Sequence, residues 1–245
     1  MECAVGHGWL ALPRNTLMNG WDLMNYWAMR KQPVYQVGQL TAAFMMTLIA
    51  PVFAATLEIS IVDANNEPIP NVAVYVTQAG ATIADAPGLT VMDQRDTRFE
   101  PHILVIQKGT AVEFPNSDVI AHHVYSFSKP NDFVLPLYKG NPHEPVLFEH
   151  EGIVTLGCNI HDHMLGYIVI VDTDIFGLTD EAGTLSVVVD GSKGAATVNI
   201  WNPRIRDKEL TQVVAATSKS VAFSLKKKLL PAHDPDTEAM LWSEY

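Results

Sequence analysis

From Thr56 onward the chain breaks into short apolar runs of four to six residues, most of them separated by Gly, Pro, Asn or Asp. Leu57–Val62 alternates apolar and polar side chains, as a strand with one buried face must. "DANNEPIPN" follows it with turn chemistry, and Val72–Thr77 resumes the alternation. Nine further runs read the same way: Ile103–Gln107, Ala111–Phe114, His122–Phe127, Val146–Glu149, Ile153–Gly157, Tyr167–Val171, Leu185–Val189, Ala196–Trp201 and Val221–Leu225. No stretch in this region sustains the apolar stripe of a helix. Short strands with frequent turns specify an all-β fold, an antiparallel sandwich or barrel.

The first 54 residues differ. Met29-Arg30-Lys31 is basic, Leu40 to Phe53 ("LTAAFMMTLIAPVF") is uncharged and apolar, and Val52-Phe53-Ala54 offers small residues around a cleavage point. That order describes a secretory signal peptide, with residues 1–28 as an over-extended start. The apolar run is shorter than the ~20 residues that cross a membrane comfortably. The expectation is a mature chain beginning near Ala55, exported to the periplasm, with no stable membrane span after cleavage. A net charge of −11 argues against a nucleic-acid partner, which requires a basic face.

Of the two cysteines, Cys3 lies in the discarded segment, which leaves Cys158 alone. A single exported thiol forms no internal disulfide, and metal ligation is the most economical occupation for it. Its surroundings agree. "GCNIHDHMLGY" sets Cys158, His161, His163 and Met164 within seven positions. A tight loop leaving a strand can turn Cys158, His161 and Met164 toward one ion. His122 or His123, in the strand candidate upstream, can supply a fourth donor. Two imidazoles, one thiolate and a distant thioether are the donor set of a type 1 copper centre, whereas zinc prefers a tetrahedral site without methionine. His163 in place of His161 is an alternative that leaves Met164 misplaced. Seven histidines fall between residues 92 and 173: His102, His122, His123, His143, His150, His161 and His163.

"FEPHILVIQKGTAVEFPNSDVIAHHVYSF" and "FEHEGIVTLGCNIHDHMLGYIVIV" resemble the two ligand-bearing segments of the cupredoxins, blue copper proteins of the plastocyanin type. The C-x2-H-x2-M spacing is similar to the short ligand loop of amicyanins. The resemblance implies a Greek-key β-sandwich over 92–173 with one type 1 copper. His122, Cys158 and His161 would be its strong ligands and Met164 its weak axial one. His122 is preferred to His123 because it stands where the family has the histidine of Pro-His-Asn, and adjacent strand residues face opposite ways. His123 then stands where the family has Asn, which leaves the surroundings of the ligands altered.

The flanks, "LEISIVDANNEPIPNVAVYV" and "LTDEAGTLSVVVDGSKGAATVNIW", resemble the halves of transthyretin-like, carboxypeptidase-regulatory-type sandwiches. The implied organisation is a discontinuous sandwich over 56–90 and 175–228 into which the cupredoxin domain is inserted, followed by a flexible tail over 229–245. One extended sandwich with extra strands is the simpler alternative. The whole chain also resembles exported proteins of the methylamine utilization or plastocyanin-like type.

The functional expectation is one-electron transfer, not enzyme catalysis, with a redox protein such as a periplasmic dehydrogenase as transient partner. His161 would be the electron port, and Met164 and Leu165 beside it an apolar docking patch. The alternatives are a copper carrier or store and a metal-free interaction module.

Overall fold

The structure, a computed structural model, describes residues 53–81, 84, 88–207 and 210–232. The expected signal segment, apart from its last two residues, and residues 233–245 of the expected tail lie outside the described residues.

Seventeen strands and one short 3-10 turn at Gly191–Lys193 make up the regular structure of the described residues. The first eight strands are β1 (Ala54–Val62), β2 (Ala73–Thr77), β3 (Leu89–Val91), β4 (Asp93–Arg95), β5 (Arg98–Glu100), β6 (Ile103–Gln107), β7 (Thr110–Glu113) and β8 (His122–Ser126). Then come β9 (Phe133–Tyr138), β10 (Val146–Phe148), β11 (Gly152–Cys158), β12 (His161–Val171) and β13 (Phe176–Leu178). The last are β14 (Thr184–Asp190), β15 (Ala195–Trp201), β16 (Thr211–Ala215) and β17 (Ser220–Ser224). The fold is all-β, as the alternation requires.

Two apolar cores organise these strands. Sheet β14-β1-β17 faces sheet β13-β2-β15-β16, and Leu57, Ile59, Ile61, Val74, Val198 and Phe223 are buried between them. Sheet β6-β12-β11-β8-β9 closes over β10-β7-β3 and the β4-β5 hairpin, burying Phe99, Val112, Val124, Phe148, Leu156 and Ile168. The first core draws on both ends of the described chain and the second on its middle. A third, smaller cluster joins them: Ile103, Val169 and Val171 pack with Ala73, supported by Tyr75, Tyr167, Phe176 and Trp201.

Turn chemistry sets the registers. In "TDEAG" the Asp180 carboxylate accepts the Ala182 and Thr184 N–H groups at 3.0 and 2.8 Å. Gly183 has φ +69°, and a Cβ there would stand 2.6 Å from the Ile61 carbonyl oxygen, so only glycine fits. Beyond the expected tail boundary, Leu230 is tied to Arg204 twice: its N–H donates to the Arg204 carbonyl, and Arg204 Nε donates back, both at 2.9 Å.

Candidate metal centre

Cys158 ends β11 and His161 opens β12, so the two belong to one hairpin with residues 159–160 as its loop. The pairing is not uniform. Gly157 opposes Leu165, but the next pair is Cys158 with His161. Residues 162–164 therefore have no partner on β11 and bulge. Below the bulge β12 resumes ordinary alternation, with Ile168 and Ile170 in the second core. The bulge lets His161 face Cys158 across the hairpin while Met164, three residues on, is fully buried in the same core.

His122 arrives from β8, which pairs with β11 on its other edge through Tyr125 and Gly157. Inward and outward positions alternate along β8: His122, Val124 and Ser126 are buried, His123 and Tyr125 half-buried. His123 lies on the face opposite His122, its ring centroid 5.7 Å from that of Tyr125.

Cys158 Sγ stands 3.9 Å from His122 Nδ1 and 3.8 Å from His161 Nδ1. The two imidazoles are 4.9 Å apart at their centroids and inclined by 62°. A donor atom from each of the three residues lies within 4.8 Å of the others. Donors held about 2.0–2.3 Å from one ion and spread about 120° apart around it stand ~3.7 Å from each other, so the two sulfur–nitrogen separations suit a shared first-row ion. Soft sulfur beside imidazole is a donor set that fits copper. Cys158 and His122 are buried, and His161 is half-buried, so the cluster opens outward on the His161 side. Burial and the neighbouring His122 and His163 rings push the His161 imidazole below its ordinary pKa, with Asp118 opposing. That favours the neutral ring a metal requires.

Asp118 was not legible as part of this site. Its Oδ2 lies 2.6 Å from His122 Nε2. A carboxylate accepts only, so a neutral His122 ring pairs with it by carrying its proton on Nε2, which leaves the Nδ1 lone pair on the Cys158 side. Asp162, between His161 and His163, is exposed, and the carboxylate in contact with His122 is that of Asp118. The only sequence signal was a carboxylate four residues before His122 inside an Asn-Ser-Asp turn.

That turn is well held. Asn116 Nδ2 donates to the Ile120 and Tyr138 carbonyls at 3.0 and 2.8 Å, and its Oδ1 accepts the Asp118 N–H at 3.0 Å. The Tyr138 hydroxyl, its pKa pushed up to about 12 chiefly by burial, donates to the Phe114 carbonyl and accepts from Gln94 Nε2, both at 2.5 Å.

The surface near the site departs from expectation in one respect. Met164 is fully buried and contributes nothing to a docking patch, because its position in the bulge points into the core. Exposed apolar side chains in the loops next to the cluster are Val119, Ile120 and Ile160. His102 sits apart from the cluster, with Nδ1 3.1 Å from the Leu165 carbonyl oxygen.

No family model matches the chain, and no curated protein matches it. Among solved structures it is similar to a copper-containing nitrite reductase from Thermus scotoductus SA-01, at 24% identity and a TM-score of 0.33, over 45% of this chain and 28% of that one. It is similar to a mutant amicyanin in the reduced state, at 21% identity and TM-score 0.32, over 39% of this chain and 98% of that one. A purple cupredoxin from Nitrosopumilus maritimus matches at 20% identity and TM-score 0.30, over 34% of this chain and 99% of that one.

Proposed function

We propose that the chain is an exported cupredoxin-type copper protein that carries one electron at a time. His122, Cys158 and His161 would hold the copper strongly and Met164 weakly. The observation that carries this reading is the convergence of one thiol and two imidazoles, from β8 and the β11-β12 hairpin, within 4.8 Å. Copper bound there supplies a one-electron couple between its cuprous and cupric states.

The chain's own residues provide the rest. The sheet fixes His122 and Cys158 in a packed core, so the donors cannot relax far when the charge changes. His161, half-buried beside exposed Ile160, is the side from which a redox protein partner approaches, and the contact is small and transient. Export to the periplasm rests on the signal-like segment. Among the described residues no helix is long and apolar enough to cross a membrane.

A second reading, copper carrier, is favoured by His163, whose ring lies 5.9 Å from that of His161 and can receive an ion passing outward. Optical and EPR spectra of copper-loaded protein separate the two. Electron transfer predicts an intense thiolate-to-copper band in the visible that is lost in Cys158→Ser, together with a reversible one-electron titration. A carrier exchanges Cu(I) readily and lacks the band. If Cys158→Ser kept the wild-type spectrum, the thiolate assignment would be wrong.

A further inference from the structure

We propose that Asp118 is a positioning residue for the copper site: it fixes which nitrogen of His122 faces Cys158, and its charge biases bound copper toward the oxidised state. The inference rests on the copper reading above.

The orientation follows from the contacts. His122 is fully buried, and Asp118 Oδ2 at 2.6 Å meets its outer nitrogen. A neutral imidazole has one N–H, and an acceptor at Nε2 claims it. The inner nitrogen, 3.9 Å from Cys158 Sγ, is then left with a free lone pair. Without the acceptor the ring has no reason to prefer this tautomer, and the other one turns a proton into the site.

Asp118 cannot easily swing away. Its carboxylate also accepts the Asp96 N–H at 2.7 Å and the Thr97 N–H at 3.0 Å. Those two residues form the β4-β5 turn with φ of +51° and +56°, a conformation that side chains other than glycine seldom adopt unless held. Asp118 supplies the acceptor for both amides, so the hairpin turn and the ligand histidine share one anchor. Its side chain is 12% exposed, which shields it from water.

The charge argument uses the same geometry. One thiolate and two neutral imidazoles around a cupric ion leave a net charge of +1, and around a cuprous ion none. A carboxylate hydrogen-bonded to a ligand brings the oxidised assembly to zero and the reduced one to −1. Below the dielectric of bulk water, the neutral assembly is the favoured one. Asp118 therefore stabilises the oxidised protein more than the reduced.

The test measures Cu(II) and Cu(I) affinities and the reduction potential of wild type, Asp118→Asn and Asp118→Glu. Asp118→Asn is expected to lose about 10–100-fold in Cu(II) affinity, the usual effect of removing a partner of a metal ligand, and less in Cu(I) affinity. The potential then rises by ~59 mV for each tenfold difference between the two. Asp118→Glu, which keeps the charge, recovers most of the shift. Equal losses in both oxidation states, with the potential unchanged, would reduce Asp118 to a structural anchor and overturn the charge claim. The tautomer is read independently in copper-free wild type by nitrogen-15 NMR of His122 at mildly alkaline pH, whether or not the variants fold. A proton on Nε2 supports the proposal, and one on Nδ1 overturns it. If wild type showed no thiolate-to-copper band, the copper reading and the charge claim would fall together, while the NMR result would still decide the tautomer.

Discussion

Side chains alternate along β8, so His122 meets Cys158 in the core while His123 lies against Tyr125 on the opposite face. The two rings can therefore be tested singly. His122→Ala is expected to abolish the visible copper band and to leave the Asp118 carboxylate without its imidazole partner. His123→Ala is expected to keep the band, with copper affinity within about threefold of wild type, a difference of under ~1 kcal/mol. Titration of each variant with copper, followed by absorption, checks both; loss of the band in His123→Ala would mean that the wrong ring has been assigned. Cys158 and His161 were legible as a pair because they stand three apart in one hairpin. Asp118 was not. Its importance depends on a 2.6 Å contact with His122 and on the β4-β5 turn packing against the same carboxylate, and no local pattern announces either.

Among the elements, β12 shows how a short motif becomes a site. It runs eleven residues from His161 to Val171, where the alternating pattern had marked only Tyr167–Val171. The first half was hidden because the bulge at residues 162–164 breaks the period of two. Strand β9 was missed for another reason. Pro136 interrupts "FVLPLY", and proline is tolerated there because β9 is the edge of its sheet. Two glycines in the β11-β12 hairpin offer a graded test. A Cβ at Gly166 would lie 2.7 Å from Phe99 Cβ, an atom fixed to its backbone. A Cβ at Gly157 would lie 2.9 Å from Tyr125 Cζ and Oη, the far end of a ring that can swing outward. Gly166→Ala should therefore destabilise the protein by about 1–3 kcal/mol, and Gly157→Ala by less. Urea unfolding of the copper-free variants measures both, and a reversed order would contradict the packing described.

At the scale of the whole molecule, the two apolar cores of the described residues meet through an apolar seam. Ile103, Val169 and Val171, on the outer face of the sheet that carries the cysteine–histidine cluster, pack against Ala73 with Tyr75, Phe176 and Trp201 at the edges. The Tyr167 and Trp201 rings stand 5.4 Å apart, edge to face. Val169 and Met164 lie on one strand but on opposite sides of the sheet, so the seam and the site bury different faces of β12. Wild type is expected to unfold in one calorimetric transition. Val169→Asp would bury an unpaired charge in the seam, which is strongly unfavourable, and should split that transition in two while the copper band survives at low temperature. A single undivided transition in this variant would mean that the seam does not carry the cooperativity.

The sequence by itself determined the all-β class, since period-two alternation and turn residues act over five or ten positions. It also determined that a thiol, an imidazole and a thioether share one hairpin. Tertiary structure alone decided how far apart the donors stand, that Met164 is core and not surface, and that Asp118 holds the outer nitrogen of His122. The reason is one of range. Alternation is written into neighbouring residues, whereas Cys158 and His122 are 36 residues apart and their 3.9 Å separation is set by how β11 and β8 pair and pack.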